Sequence, residues 1–306
     1  AISISSTTNS TAFPVSLSGP LSARTGITIS ATGATATTIA SLGAMTLTGA
    51  GSQLSVTANN TAAGANSGIR ALGAISLASG SGLSFVTNNL ITVTGAISVA
   101  ANNTGSSANL VFDTSTGTNA SSVSLNGAIT TVAVGTSQSG LRVLTKGAPI
   151  STAAGISLTG LIDFNNTVGL GVGTATLSEG ISLSGVLTST SGDITLVGKS
   201  SGAQGILTTA ASLITATTGN ISLTGSGTTG GINLLAALSA GSGTKLRAIT
   251  LVGNGTSGIG VTASAAASLT ATGSLTVTGF STGSRGIELG GGVRSTVTGD
   301  VVLSGQ

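Results

Sequence analysis

The chain of 306 residues carries six carboxylates, Asp113, Asp163, Glu179, Asp193, Glu288 and Asp300, and nine lysines and arginines, but neither cysteine nor histidine. Disulfides, thiol nucleophiles, histidine acid–base chemistry and zinc sites of the usual kinds are therefore outside its reach. A carboxylate pair could still cleave a glycosidic bond, one group acting as acid and the other as base or nucleophile. Asp163, in the stretch LIDFNN, and Glu179 lie near each other in sequence and are the candidates for that work. A loop or buried-polar role accounts for them more simply. Asp193 and Asp300 each follow a glycine just before an apolar run, which reads as turn chemistry. The calcium-binding nonapeptide GGxGxDxUx is absent, because the run Gly290-Gly291-Gly292 has no aspartate after it. The residue types thus point away from an enzyme. No catalytic, cofactor-binding or metal site is assigned, and no cofactor is expected.

The elements that carry these residues are repeats. GDITLVG, GNISLTG, RAITLVGNG, GSLTVTG and GDVVLSG recur toward the C-terminus, with strand starts at Ile194, Ile221, Ile249, Leu275 and Val301. A period of this length with apolar punctuation is the mark of a solenoid. Within each unit a first beat, Ile-Thr-Leu or its equivalent, alternates with the period of a strand buried on one face. A second beat is glycine plus an aliphatic, at Gly205-Ile206, Gly231-Ile232, Gly258-Ile259 and Gly286-Ile287, and a looser third falls at Leu213, Leu238, Leu269 and Val297. Before residue 194 the first beat continues unevenly through Ile27, Met45, Ile75, Ile97, Val123, Ile156 and Ile181. Early turns read Gly-Ala, as at Gly43-Ala44 and Gly73-Ala74, whereas later ones read Gly-Asp, Gly-Asn or Gly-Ser.

The expected fold is all-β: a parallel β-solenoid (β-helix) with three short strands per coil and about 11–12 coils. Parallel crossovers favour right-handed winding. At roughly 4.8 Å per rung the stack would be a rod of about 55 Å. Residues 1–26 read as an irregular N-terminal segment, a cap or a strand for exchange with another subunit, and residues 27–306 as the repeat domain.

Composition agrees. Charged residues are 5% of the chain and aromatics 2%, with no Trp or Tyr, while mean hydropathy is +0.55. That is neither a charge-rich disordered chain nor a membrane one. No apolar run reaches the length of a transmembrane helix, and the aromatic girdles of a membrane barrel are missing, so membrane insertion is not expected. The basic residues are scattered singly, so nucleic acid is not an expected partner.

Two surfaces are candidates for binding. One is a column of outward hydroxyls on the first-beat strands: Thr46 and Thr48, Ser157 and Thr159, Ser182 and Ser184, Ser222 and Thr224, Thr276 and Thr278. Stacked, these would form a flat Ser/Thr face for a surface or glycan ligand, resembling the Thr-x-Thr faces of solenoid ice-binding proteins. The other is the pair of solenoid ends, where unpaired strand edges invite another chain. Val301, Val302 and Leu303 form the C-terminal edge, and Ile2 and Ile4, or Ile27 and Ile29, the N-terminal one. A charge at Val302 would be expected to block head-to-tail contact there. Asparagine sequons occur at Asn9, Asn59, Asn102, Asn119, Asn165, Asn220 and Asn254, at a frequency that a Ser/Thr-rich chain produces by chance.

The GxITLxG beat and the Gly/Ser/Thr/Ala/Val/Ile/Leu composition resemble the repetitive β-helical passengers of large secreted bacterial exoproteins, the autotransporter and filamentous-haemagglutinin-like adhesins. The resemblance covers most of the chain from Ile27 onward. It implies an extracellular or cell-surface, non-enzymatic role in adhesion, a matrix or a surface fibre; the strand edges, in turn, make the chain its own expected partner, assembling head to tail into a filament.

Overall fold

A computed structural model describes residues 1–8, 15–33, 39–60, 68–100, 108–116, 122–132, 140–146, 149–158, 161–165, 179–296 and 298–306. The chain is a parallel β-solenoid with three sheets and no helix among the described residues. Among the described residues sheet A holds twelve strands, from Ile2–Thr8 to Val301–Gly305. Sheets B and C hold eleven each, B from Val15–Leu17 to Ile287–Leu289 and C from Leu21–Ala23 to Val293–Ser295. Among the described residues eleven coils run through A, B and C in that order, the twelfth A strand, Val301–Gly305, follows them, and each strand pairs in parallel with its counterpart one coil away. Within the N-terminal segment, the strands Ile2–Thr8, Val15–Leu17 and Leu21–Ala23 take the first places in sheets A, B and C, so its described residues begin the stack.

Alternation makes the strands. In Ile221–Gly227 every second residue is buried and every other one is partly exposed, as one covered face demands. Sheet A stacks two inward columns without interruption. The first runs Ile2, Ile27, Leu54, Leu83, Leu110, Leu141, Ile162, Ile194, Ile221, Ile249, Leu275 and Val301. The second includes Phe85, Phe112 and Phe164, all fully buried. The rings of Phe85 and Phe112 meet edge to face, with centroids 5.5 Å apart, the arrangement that the ring quadrupoles favour.

This register changes the sequence reading in three places. The early beats belong to different sheets: Ile27 lies in A, Met45, Ile75, Ile97 and Ile156 in C, and Val123 and Ile181 in B. Only from Ile194 onward does the series stay on sheet A. Second, Val261 rather than Ile259 stacks between Ile232 and Ile287, so Gly260-Val261 is the true second beat of that coil. Third, Ile214 and Val293 take the inward places expected of Leu213 and Val297. Val297 lies outside the described residues, and Leu213 is exposed. A shift of one or two residues moves a side chain between faces or rungs, and the inward alternation decides it.

Glycines close two corners. Gly43, Gly73, Gly95 and Gly127 stack where B passes to C, and a Cβ on Gly95 would lie 1.9 Å from the carbonyl oxygen of Gly73. This is what the Gly-Ala turns are for. In the C-terminal half the A-to-B corner is closed by facing glycines: Cβ atoms on Gly225, Gly253 and Gly279 would meet the carbonyls of Gly231, Gly260 and Gly286 at 1.9–2.2 Å.

Candidate functional site

The Ser/Thr residues singled out from sequence divide among three faces. Thr46 and Ser157 point outward from sheet C and Ser182 from sheet B, whereas Ser222, Thr224, Thr276 and Thr278 point outward from sheet A. Thr48 and Ser184 directly follow their strands, and Thr159 lies outside the described residues, as do Asn9, Asn102 and Asn119. The ten do not form one column, because the early and late beats sit on different sheets.

An unbroken hydroxyl column does exist, on sheet C. It runs Ser22, Thr46, Ser76, Ser98, Thr130, Ser157, Thr188, Thr215, Ser239 and Thr270, one per rung, before Arg294 ends it. Each hydroxyl lies between inward aliphatic or small residues of a three- or four-residue strand, so the signal was present in the sequence once the Gly-Ala turns are assigned to the B-to-C corner.

The carboxylates do not converge. Asp113 accepts hydrogen bonds from the backbone NH and hydroxyl of Ser115, at 2.8 and 2.6 Å, and so ties a local turn. Glu288 pairs with Arg285 at an exposed site, 2.7 Å apart. Asp163 projects from sheet A and pairs with Arg142 of the preceding rung, Nε to Oδ2 at 3.0 Å. Glu179 precedes the sheet B strand Ile181–Leu183. Asp163 therefore stands on a sheet A strand and Glu179 at the entry to a sheet B strand. Among the described residues no group of three His, Cys, Asp or Glu side chains could hold a metal ion, and no helix is long and apolar enough to cross a membrane.

Where C passes to A, the side chains do come together. The backbone carbonyls of Asp193, Asn220, Ala248, Ser274 and Asp300 each accept the NH of the strand one rung below, at 2.9–3.0 Å, and so mark one corner on successive rungs. Asp193 Oδ1 accepts from Asn220 NH at 2.7 Å, and Asn220 Oδ1 accepts from Ala248 NH at 3.0 Å. Two clefts lie along this corner, of about 460 Å³ beside Arg142, Asp163 and Asp193 and about 290 Å³ beside Asn220, Arg247 and Asp300. Sequence reasoning missed this groove, because its lining comes from residues a full coil apart.

Comparison of the chain with protein-family models, curated proteins and solved structures gave no match. The fold thus stands on its own geometry. The Asn220 ladder is part of that geometry: Asn220→Ala strips the acceptor from Ala248 NH and the side-chain donor from Asp193. The expected loss is about 1–2 kcal/mol, read as a lower denaturation midpoint with an unchanged slope.

The ends differ from the body. Val301 is 45% and Leu303 52% exposed, whereas Leu275 and Val277, on which they stack, are fully buried. Val302 sits over Thr276 on the outer side of the sheet, so it is not part of the inward column. At the other end Ile2 and Ile4 pack partly against the core. Ile27 and Ile29 are fully buried beneath them, so they present no edge while the first strand stays paired.

Proposed function

We propose that the chain is a non-enzymatic structural protein of the cell surface or extracellular matrix, assembling head to tail through its solenoid ends. The observation that carries this reading is the exposed apolar rung at Val301 and Leu303, which continues the inward columns of sheet A. Burying such side chains is worth roughly 1.5–3 kcal/mol each, and pairing the strand edges adds the hydrogen bonds that a lone edge lacks.

Strand numbers support one way of fitting two copies of the 306-residue chain together. Among the described residues sheet A has twelve strands against eleven in each of B and C. If Val301–Gly305 simply abutted Ile2–Thr8 of a second copy, sheets B and C would each lack one rung at the junction. The gap closes when Val301–Gly305 takes the place of the second copy's Ile2–Thr8. Val301 then stacks on Ile27 and Leu303 on Ile29, matching the contacts that Ile2 and Ile4 make within one chain. In sheet B, Ile287 and Leu289 meet Val15 and Leu17, and in sheet C Val293 meets Leu21, all apolar against apolar. The exchange gives up one strand pairing and gains three. Contacts of this head-to-tail kind do not close on themselves, so the product is a filament. Its test is the polymer formed by the 306-residue chain and the loss of that polymer on Leu303→Lys, developed in the Discussion.

A second reading, an adhesive or ice-binding-like rod, is favoured by the hydroxyl column of sheet C. Ser98→Lys with Thr130→Lys places bulky charge at its centre. A reduction of thermal hysteresis, or of adsorption to a glycan-coated surface, by about tenfold or more would support it. Unchanged activity would remove the column from consideration.

A further inference from the structure

We infer that the groove along the C-to-A corner binds a linear, uncharged, hydroxyl-rich polymer, that is, a neutral glycan strand lying parallel to the solenoid axis. The groove is continuous in register. Its two clefts are about 460 and 290 Å³, the first lined by Asp193 and the second by Asn220, and these two residues, on successive rungs, are hydrogen-bonded to each other. From Leu161 to Asp300 it spans five rung steps, or about 24 Å at the usual strand spacing. The larger cleft is in the range that holds small ligands.

The lining selects the ligand. Asp163, Asp193 and Asp300 offer acceptors, while Arg142 and Arg247 offer donors. Asp193 uses only Oδ1, and among the described residues the Asp300 carboxylate has no hydrogen-bond partner. Arg247 Nε has no acceptor either. Acids and bases so nearly balanced repel neither sign strongly and attract neither. A hydroxyl both donates and accepts, so a sugar edge can meet both kinds of group at once. A peptide fits less well, because the corner carbonyls of Asp193, Asn220, Ser274 and Asp300 are already spent on the ladder, leaving no backbone edge for a strand to join. The groove has no tryptophan or tyrosine, since the chain has none. Affinity must therefore come from hydrogen bonds repeated rung by rung, and it should rise with polymer length.

Isothermal titration of the 306-residue chain with β-1,4-glucan and α-1,4-glucan oligomers, from disaccharide to hexasaccharide, tests this. At least one series should bind with affinity increasing with length. Ser191→Trp and Ser274→Trp, both at exposed groove positions, should each weaken the hexasaccharide by about tenfold or more, as expected when a cleft is filled. Ser16→Trp, on the outer side of sheet B, should leave it unchanged, and circular dichroism should show all three folded. Absence of binding in both series would overturn the inference. So would binding that survives both groove tryptophans, or binding of polygalacturonate in preference to the neutral oligomers. These outcomes do not depend on end-to-end assembly, which Leu303→Lys removes separately.

Discussion

Leu303→Lys should leave the chain folded and abolish its head-to-tail association. Leu303 is half exposed in the 306-residue chain, so there the new ammonium reaches water. In the assembled state it would lie over Ile29 in a column of fully buried apolar side chains. Burying an unpaired charge there costs about 3–5 kcal/mol, which weakens association by two orders of magnitude or more. Val302→Lys is the matched control, since Val302 faces outward over Thr276 and outward substitutions usually change stability by less than about 0.5 kcal/mol. Sequence alone singled out Val302 as the blocking position, and the register moves that role to its neighbour. Sedimentation velocity on the three proteins at equal concentration measures the difference. If Leu303→Lys associates like the parent, the proposed edge is wrong.

Gly253→Ala should be far more damaging than its single methyl suggests. Its Cβ would lie 2.1 Å from the carbonyl oxygen of Gly260 and 2.6 Å from Cγ2 of Val261. Neither the sheet A strand nor the sheet B strand can retreat, because Gly225 and Gly279 make the same contact on the rungs to either side. Overpacking of this kind costs about 3 kcal/mol. Gly292→Ala is the contrast: nothing lies within 4 Å of its Cβ position, and the expected change is within about 0.5 kcal/mol. Chemical denaturation followed by circular dichroism separates the two. Equal stabilities would mean that the A-to-B corner is looser than its glycine pairing indicates.

The solenoid was legible because its requirements are local. Alternation in ITLVG and ISLTG marks strands, and glycine at a fixed offset marks corners. The sheet to which a strand belongs was not legible, since all three sheets use the same words: ISL occurs as Ile75–Leu77 in C, as Ile181–Leu183 in B and within Ile221–Gly227 in A. The turns held the distinguishing mark. Gly-Ala precedes sheet C strands at Met45, Ile75 and Ile97, whereas Gly-Asp or Gly-Asn precedes sheet A strands at Ile194, Ile221 and Val301. Treating the turns as variants of one merged strands of different sheets, and the hydroxyl face drawn from that series was split as a result. The corner groove had no comparable signature. Arg142 meets Asp163, and Asp193 meets Asn220, only after coils of unequal length have been laid over one another, and coil length follows from loops rather than from the beat.

The apolar terminal rung and the extra strand of sheet A support the same account, in which each copy lends its last strand to the next. Electron cryo-microscopy of the 306-residue chain at micromolar concentration tests it most directly. Strand exchange leaves eleven rungs per subunit, so filaments should show an axial repeat of about 53 Å at roughly 4.8 Å per rung. Abutment of intact ends would keep twelve rungs in sheet A and lengthen the repeat to about 58 Å, contradicting the exchange. A field of separate short rods would contradict head-to-tail assembly altogether.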